Sequence, residues 1–89
     1  PTYLEALTAR GAAFLAVNQS QNAYQDLTQA IANAPTTTDP ELFYNRGVAR
    51  ARLGDDAGAR RDLERAAELY LQRGEAAGYR QTLTQMSQL

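Results

Sequence analysis

The sequence predicts an all-α fold, a solenoid of helical hairpins with about five antiparallel helices. Three observations carry that reading. The first is an internal repeat: Gly11, Phe14, Ala23, Leu27 and Ala30 are matched, 36 residues on, by Gly47, Arg50, Ala59, Leu63 and Ala66. Small residues recur where two helices must touch, and a large apolar residue recurs between them. The second is apolar spacing at three- and four-residue steps throughout, with no strand-like alternation. The third is punctuation by helix-start and helix-stop residues at the repeat boundaries.

The first helix is expected from Tyr3 to Val17, where Leu4, Leu7, Gly11, Phe14 and Leu15 share one face. Asn18 can end it, because asparagine tolerates the left-handed conformation used there. Ser20 or Asn22 can cap the second helix, which runs to about Asn33 with Ala23, Leu27, Ala30 and Ile31 inward. Pro35 follows, as a helix end favours. Asp39 is a good N-cap for the third helix and Pro40 suits its first position, while Thr38 and Glu41 have capping-box spacing. That helix runs to Leu53 and is closed by Gly54. Asp55 and Asp56 open the fourth helix, where carboxylates meet the positive end of the dipole. It extends to about Arg73, with Ala59, Leu63, Ala66, Leu69 and Tyr70 inward, and Gly74 breaks the chain. The fifth helix spans about Glu75 to Gln88, carrying Tyr79, Leu83 and Met86 on one face and Gln81, Gln85 and Gln88 elsewhere. A last helix with a wet face suits the open end of a stack.

The stretch Phe43-Tyr44-Asn45-Arg46-Gly47, followed by Leu53-Gly54-Asp55, Ala59, Leu63, Ala66 and Leu69, resembles a tetratricopeptide repeat. That family is a 34-residue helix-turn-helix with small residues at its eighth, twentieth and twenty-seventh positions. Gly47, Ala59 and Ala66 occupy those places if Pro40 opens the repeat, and Gly11, Ala23 and Ala30 do so if Leu4 opens an earlier one. The resemblance implies a single domain over residues 1–89, with repeats at 4–37 and 40–73 and a capping helix at 75–88. It also implies a right-handed solenoid. The chain departs from the pattern at Asn18, where glycine is usual, at Arg50, where an aromatic is usual, and at Leu71, where a closing proline is usual. The fourth helix is therefore free to run on.

In this family the first helix of each repeat lines a concave groove that receives peptide. By position, the resemblance picks out Glu5, Thr8, Ala12, Leu15 and Ala16 in the first copy. In the second it picks out Glu41, Tyr44, Asn45, Val48, Ala51 and Arg52. Asparagine offers donor and acceptor to a peptide backbone, tyrosine a flat contact, and arginine a fork for a carboxylate. A bland alternative has Tyr44 packing on Phe14 or Tyr79 and Arg52 solvating a helix end. Some family members clamp a chaperone's terminal carboxylate. Of those clamp places only Asn45 has a suitable residue here, with Thr8, Ala12, Glu75 and Tyr79 at the others, so that ligand is not expected.

Composition narrows the function. Hydrophobic residues make up 44% of 89, enough for a small core, with roughly 60–65% of the unfolded surface buried on folding. The net charge is −1, so nothing draws the chain to nucleic acid. Arg46 and Arg50, like Arg61 and Arg65, lie one turn apart, a stripe that RNA binding would use. Helix-surface pairing of Asp56 with Arg60, Arg60 with Glu64 and Arg65 with Glu68 explains the charges more simply. Histidine and cysteine are absent, so no imidazole base, thiol nucleophile, disulfide or ordinary zinc site is available. No catalytic residue, metal or cofactor is expected, and no enzymatic activity. No apolar run reaches the ~20 residues of a membrane span, so direct membrane insertion is not expected. The chain begins with Pro1, which points to processing or a longer parent. The cytoplasm is the favoured compartment, with a removed targeting segment left open. The expected function is protein–protein interaction through the groove, with a protein or peptide partner. The alternative is self-association, as a homodimer or part of a longer array, because two repeats are fewer than a stable stack usually needs.

Overall fold

A computed structural model describes residues 2–89. Five helices follow one another: α1 Tyr3–Ala16, α2 Ser20–Asn33, α3 Pro40–Arg52, α4 Asp56–Gln72 and α5 Ala76–Ser87. Helices α1 and α2 form one hairpin, α3 and α4 form the second, and α5 packs on α4. The radius of gyration is 12.0 Å, the value of about 12 Å expected for a compact chain of this length.

Three of the turns share one device. After α1, α3 and α4 the chain enters positive φ at Asn18 (60°), Gly54 (86°) and Gly74 (69°). In each, the next residue's N–H donates back to the helix: Gln19 to the Phe14 carbonyl at 2.8 Å, Asp55 to Arg50 at 2.8 Å, Glu75 to Tyr70 at 2.9 Å. This pairing satisfies carbonyls that a helix end leaves unpartnered. Asn18 thus does in the first hairpin what glycine does in the second. Gly74 also stops α4 at Gln72, so the missing proline at Leu71 does not prolong the helix.

The helix starts depart from expectation in two places. Gln19, not Ser20 or Asn22, stands at the N-cap of α2 and makes no side-chain cap bond; Asn22 Nδ2 instead donates to Gln19 Oε1 at 2.8 Å. Asp39 caps α3, its carboxylate accepting from the Glu41 N–H at 3.1 Å, and Thr38 and Glu41 form no capping box. Pro40 at the first helical position leaves Asp39 as the adjoining cap. A capping box does form at α1, between Thr2 and Glu5, both bonds at 3.1 Å.

Close approach at the small residues defines each hairpin. A Cβ added to Gly11 would lie 2.8 Å from Leu27 Cγ, and one added to Gly47 would lie 2.8 Å from Leu63 Cγ. The two glycines therefore accept the same leucine in the two copies. Leu27, Leu42, Leu63 and Leu69 are essentially fully buried, each worth about 1.5–3 kcal/mol of burial. Ala23, Ala30, Ala59 and Ala66 are buried at the same contacts. On α1, Leu7, Gly11 and Leu15 face inward and Leu4 and Phe14 are half-buried.

Helix α5 is rotated from its expected setting. Leu83 is exposed, Tyr79 and Met86 are half-buried, and Thr82 is fully buried. Gly78 is the reason: a Cβ there would overlap the Tyr70 ring of α4, so α5 lays Gly78 on that ring and turns Thr82 inward. The buried Thr82 hydroxyl donates to the Gly78 carbonyl at 2.8 Å, which removes the cost of an unpaired polar group.

Buried charge also repeats. Arg10 donates from Nε and Nη2 to Asp26 at 2.7 and 2.8 Å, and Arg46 does the same to Asp62 at 2.8 and 2.9 Å. These bidentate pairs tie the two helices of each hairpin together. Arg50, in the place of Phe14, adds a third contact to Asp62 at 3.2 Å and reaches the Tyr24 hydroxyl of α2 at 3.3 Å. Its guanidinium lies over the Tyr24 ring, 5.2 Å from the centroid. The departure at Arg50 thus joins one hairpin to the next, and its donation holds the Tyr24 phenol below its ordinary value. Arg46 and Arg50 are consequently turned onto Asp62 and not offered as a basic stripe. Of the expected surface pairs, Arg65–Glu68 forms. Among the described residues, Arg60 has neither Asp56 nor Glu64 within ion-pair range. No helix of the described residues is long and apolar enough to cross a membrane.

Candidate functional site

Helices α1 and α3 run side by side, with a groove between them that residues of both helices line. The groove has two lobes, of about 340 and 280 Å³. Ala12 and Asn45 border both lobes, so the two adjoin at these residues.

Ten of the eleven positions chosen by resemblance meet here. Glu5, Thr8, Ala12, Glu41 and Asn45 line the first lobe, nearest the starts of α1 and α3. Tyr44, Val48 and Arg52, again with Ala12 and Asn45, line the second, nearest their ends. Leu15 and Ala16 belong to the second lobe as well, whereas Ala51 borders neither.

Several of these side chains already have partners. The Thr8 hydroxyl donates to the Leu4 carbonyl at 2.9 Å, leaving its lone pairs to the groove. Arg52 neither stands free nor merely solvates its helix end. Its Nη1 donates to the Leu15 carbonyl at 2.9 Å, so α3 caps the end of α1 across the groove wall. Glu5 accepts from the Thr2 N–H at 3.1 Å. Asn45 is half-buried at the junction of the lobes, and its amide makes no hydrogen bond within the described protein.

Sequence reasoning missed six lining residues: Leu4, Ala9, Thr37, Asp39 and Leu42 in the first lobe and Gln85 in the second. Asp39, read only as a cap, also borders the first lobe. Gln85 of α5, read as part of a wet face, borders the second. Tyr44 is half-buried between the groove and α5; burial raises its phenol above the usual tyrosine value, while nearby Gln85 and Gln81 partly offset this. Glu75 and Tyr79, at the remaining clamp places, lie outside the groove. They border a separate small hollow with Tyr70, Leu71, Gly74 and Ala76.

The first lobe is electrically negative. On α4, the Tyr70 phenol is pushed up to about 12, first by burial and then by Glu41, Glu75 and Asp39. The raised value means that folding favours the neutral phenol. Tyr70 therefore contributes fully below pH about 10 and loses that contribution as pH rises toward about 12. Denaturant midpoints across that range should fall less steeply for Tyr70→Phe than for the parent chain. Identical slopes would show that Tyr70 is not held neutral.

No protein-family model, curated protein or solved structure matches the chain.

Proposed function

We propose that the chain is a tetratricopeptide-like interaction module, not an enzyme, and that the α1–α3 groove holds a segment of a partner protein. The observation that supports this most is the convergence of Glu5, Thr8, Ala12, Glu41, Tyr44, Asn45, Val48 and Arg52 on two adjoining lobes between α1 and α3. At the junction of the lobes Ala12 is short and exposed, which lets a peptide backbone approach. The unpartnered Asn45 amide offers that backbone a donor and an acceptor at mid-groove.

The test blocks that approach. Ala12→Arg places a long side chain at the junction of the lobes, at an exposed helix position where arginine is tolerated. Peptides selected from a displayed library on the parent domain should lose at least about tenfold in affinity for this variant, corresponding to about 1.4 kcal/mol. Its melting temperature should be unchanged. Selected peptides that bind the variant as well as the parent would place binding elsewhere.

Self-association is the second reading. It is favoured by Leu71, 63% exposed beside the hollow that Tyr79 and Ala76 border. Light scattering decides it, since a strictly monomeric chain removes this reading.

A further inference from the structure

The groove carries opposite charge at its two ends. Among the described residues, five side-chain carboxylates stand outside any ion pair: Glu5, Asp39, Glu41, Asp56 and Glu64. Three of them, Glu5, Asp39 and Glu41, border the first lobe. Glu5 and Asp39 each spend one oxygen on a helix-start N–H; the Glu41 carboxylate makes no hydrogen bond within the described protein. At the far end stands Arg52, outside any ion pair, with Nη1 held by the Leu15 carbonyl and its other N–H groups open to the second lobe. Between the ends lie Ala12, Val48 and the Asn45 amide, none of them charged.

The distance between the ends sets a register. Glu41 and Arg52 are separated by 11 residues of α3, about 16 Å along the axis at 1.5 Å per residue. An extended chain covers that in about five residues at ~3.3 Å each. Nucleic acid is the wrong occupant for such a groove, because three carboxylates would face its phosphates.

Resting on the groove reading above, we infer that the site takes an internal, extended protein segment with a lysine or arginine about five residues from an aspartate or glutamate. The cation sits against Glu5 and Glu41, and the carboxylate against Arg52.

The test uses labelled, end-blocked decapeptides with one lysine and one glutamate in a neutral background. Their separation runs from two to eight residues, in both orders, and binding is read by fluorescence anisotropy on the full chain. Affinity should peak near a separation of five in one order. Lysine→glutamine in the best peptide should weaken it about fivefold, and added salt should erase the preference. Glu41→Lys should weaken the same peptide about tenfold and favour the peptide with glutamate in place of the lysine. The variant's melting curve is recorded alongside, and Glu41→Gln, with a smaller loss in the same direction, serves if Glu41→Lys melts early.

Neutral peptides that bind as tightly, and that Ala12→Arg abolishes, would overturn the charge register and leave the groove reading standing. Charge-dependent binding that survives Ala12→Arg would overturn the groove reading instead. Absence of binding by every peptide would overturn both.

Discussion

Asp62→Ala should destabilise the chain by about 3 kcal/mol, because it strands buried charge. Two arginines depend on this carboxylate. Arg46 holds it with two bonds and Arg50 with a third, and their side chains are only 15% and 17% exposed. Removing the acceptor leaves Arg46 with no carboxylate and Arg50 with only Asp55, 3.6 Å away, both in poorly hydrated surroundings. The copy in the first hairpin provides the control. Asp26 is buried too, but its partner Arg10 is 62% exposed, so water solvates the stranded cation. Asp26→Ala should cost about 1 kcal/mol, nearer to what exposed pairs show. In a chain of this length each kcal/mol shifts the melting temperature by about 4–8 °C, so calorimetry should separate the two variants clearly. Equal losses would mean that the surroundings of the arginine do not set the cost.

Gly47→Leu should cost about 3 kcal/mol by forcing α3 and α4 apart. A Cβ at Gly47 already meets Leu63 Cγ at 2.8 Å, Leu63 Cδ2 at 3.0 Å and the Ala59 carbonyl at 3.3 Å. The leucine could yield by a rotamer change, but the backbone carbonyl could not. Gly47→Ala should cost much less, since helix propensity returns up to ~1 kcal/mol. The double variant Gly47→Leu with Leu63→Ala should recover part of the loss, because the two side chains compete for one space. Additive losses in urea titrations would show that the two residues do not meet. The same reasoning makes Ala59→Leu destabilising by about 1–3 kcal/mol, a smaller effect of the same kind.

The helices and their contacts were legible because they rest on strong local rules. Asp39-Pro40, Asp55 and Gly54 each have one favoured place at a helix end, and Gly11, Gly47, Ala59 and Ala66 repeat in register. The Thr2–Glu5 capping box obeys the same rule as the expected box at Thr38 and Glu41, yet it formed and the other did not, since Asp39 stands one residue closer to the start that Pro40 fixes. The setting of α5 was not legible from apolar spacing. That spacing put Leu83 inward, whereas Gly78 lies against the Tyr70 ring and the self-satisfied Thr82 is the residue buried.

Ion pairs were hardest to read, although the signal was present. Arg10 and Arg46 are 36 residues apart, and so are Asp26 and Asp62. Periodicity of apolar residues treats every charge as surface, so a buried arginine on a helix face looks like a solvated one. Only the pairing across hairpins distinguishes them. The groove positions came from a resemblance and not from their own chemistry, because Ala12, Thr8 and Val48 carry no signature of a site. Asp39 and Gln85 escaped for a different reason: the first had an adequate role as a cap, and the second lies on a helix that the pattern assigned only to closing the stack.

The groove between α1 and α3 is the claim on which the functional account stands. Amide spectra of the isotope-labelled chain, recorded while a selected peptide is added, test it residue by residue. The account predicts shifts concentrated at Thr8, Ala12, Tyr44, Asn45, Val48 and the neighbouring Gln85, with α2 and the outer face of α4 silent. Shifts centred on Arg60, Arg61 and Leu71, with Ala12 and Asn45 unmoved, would contradict it.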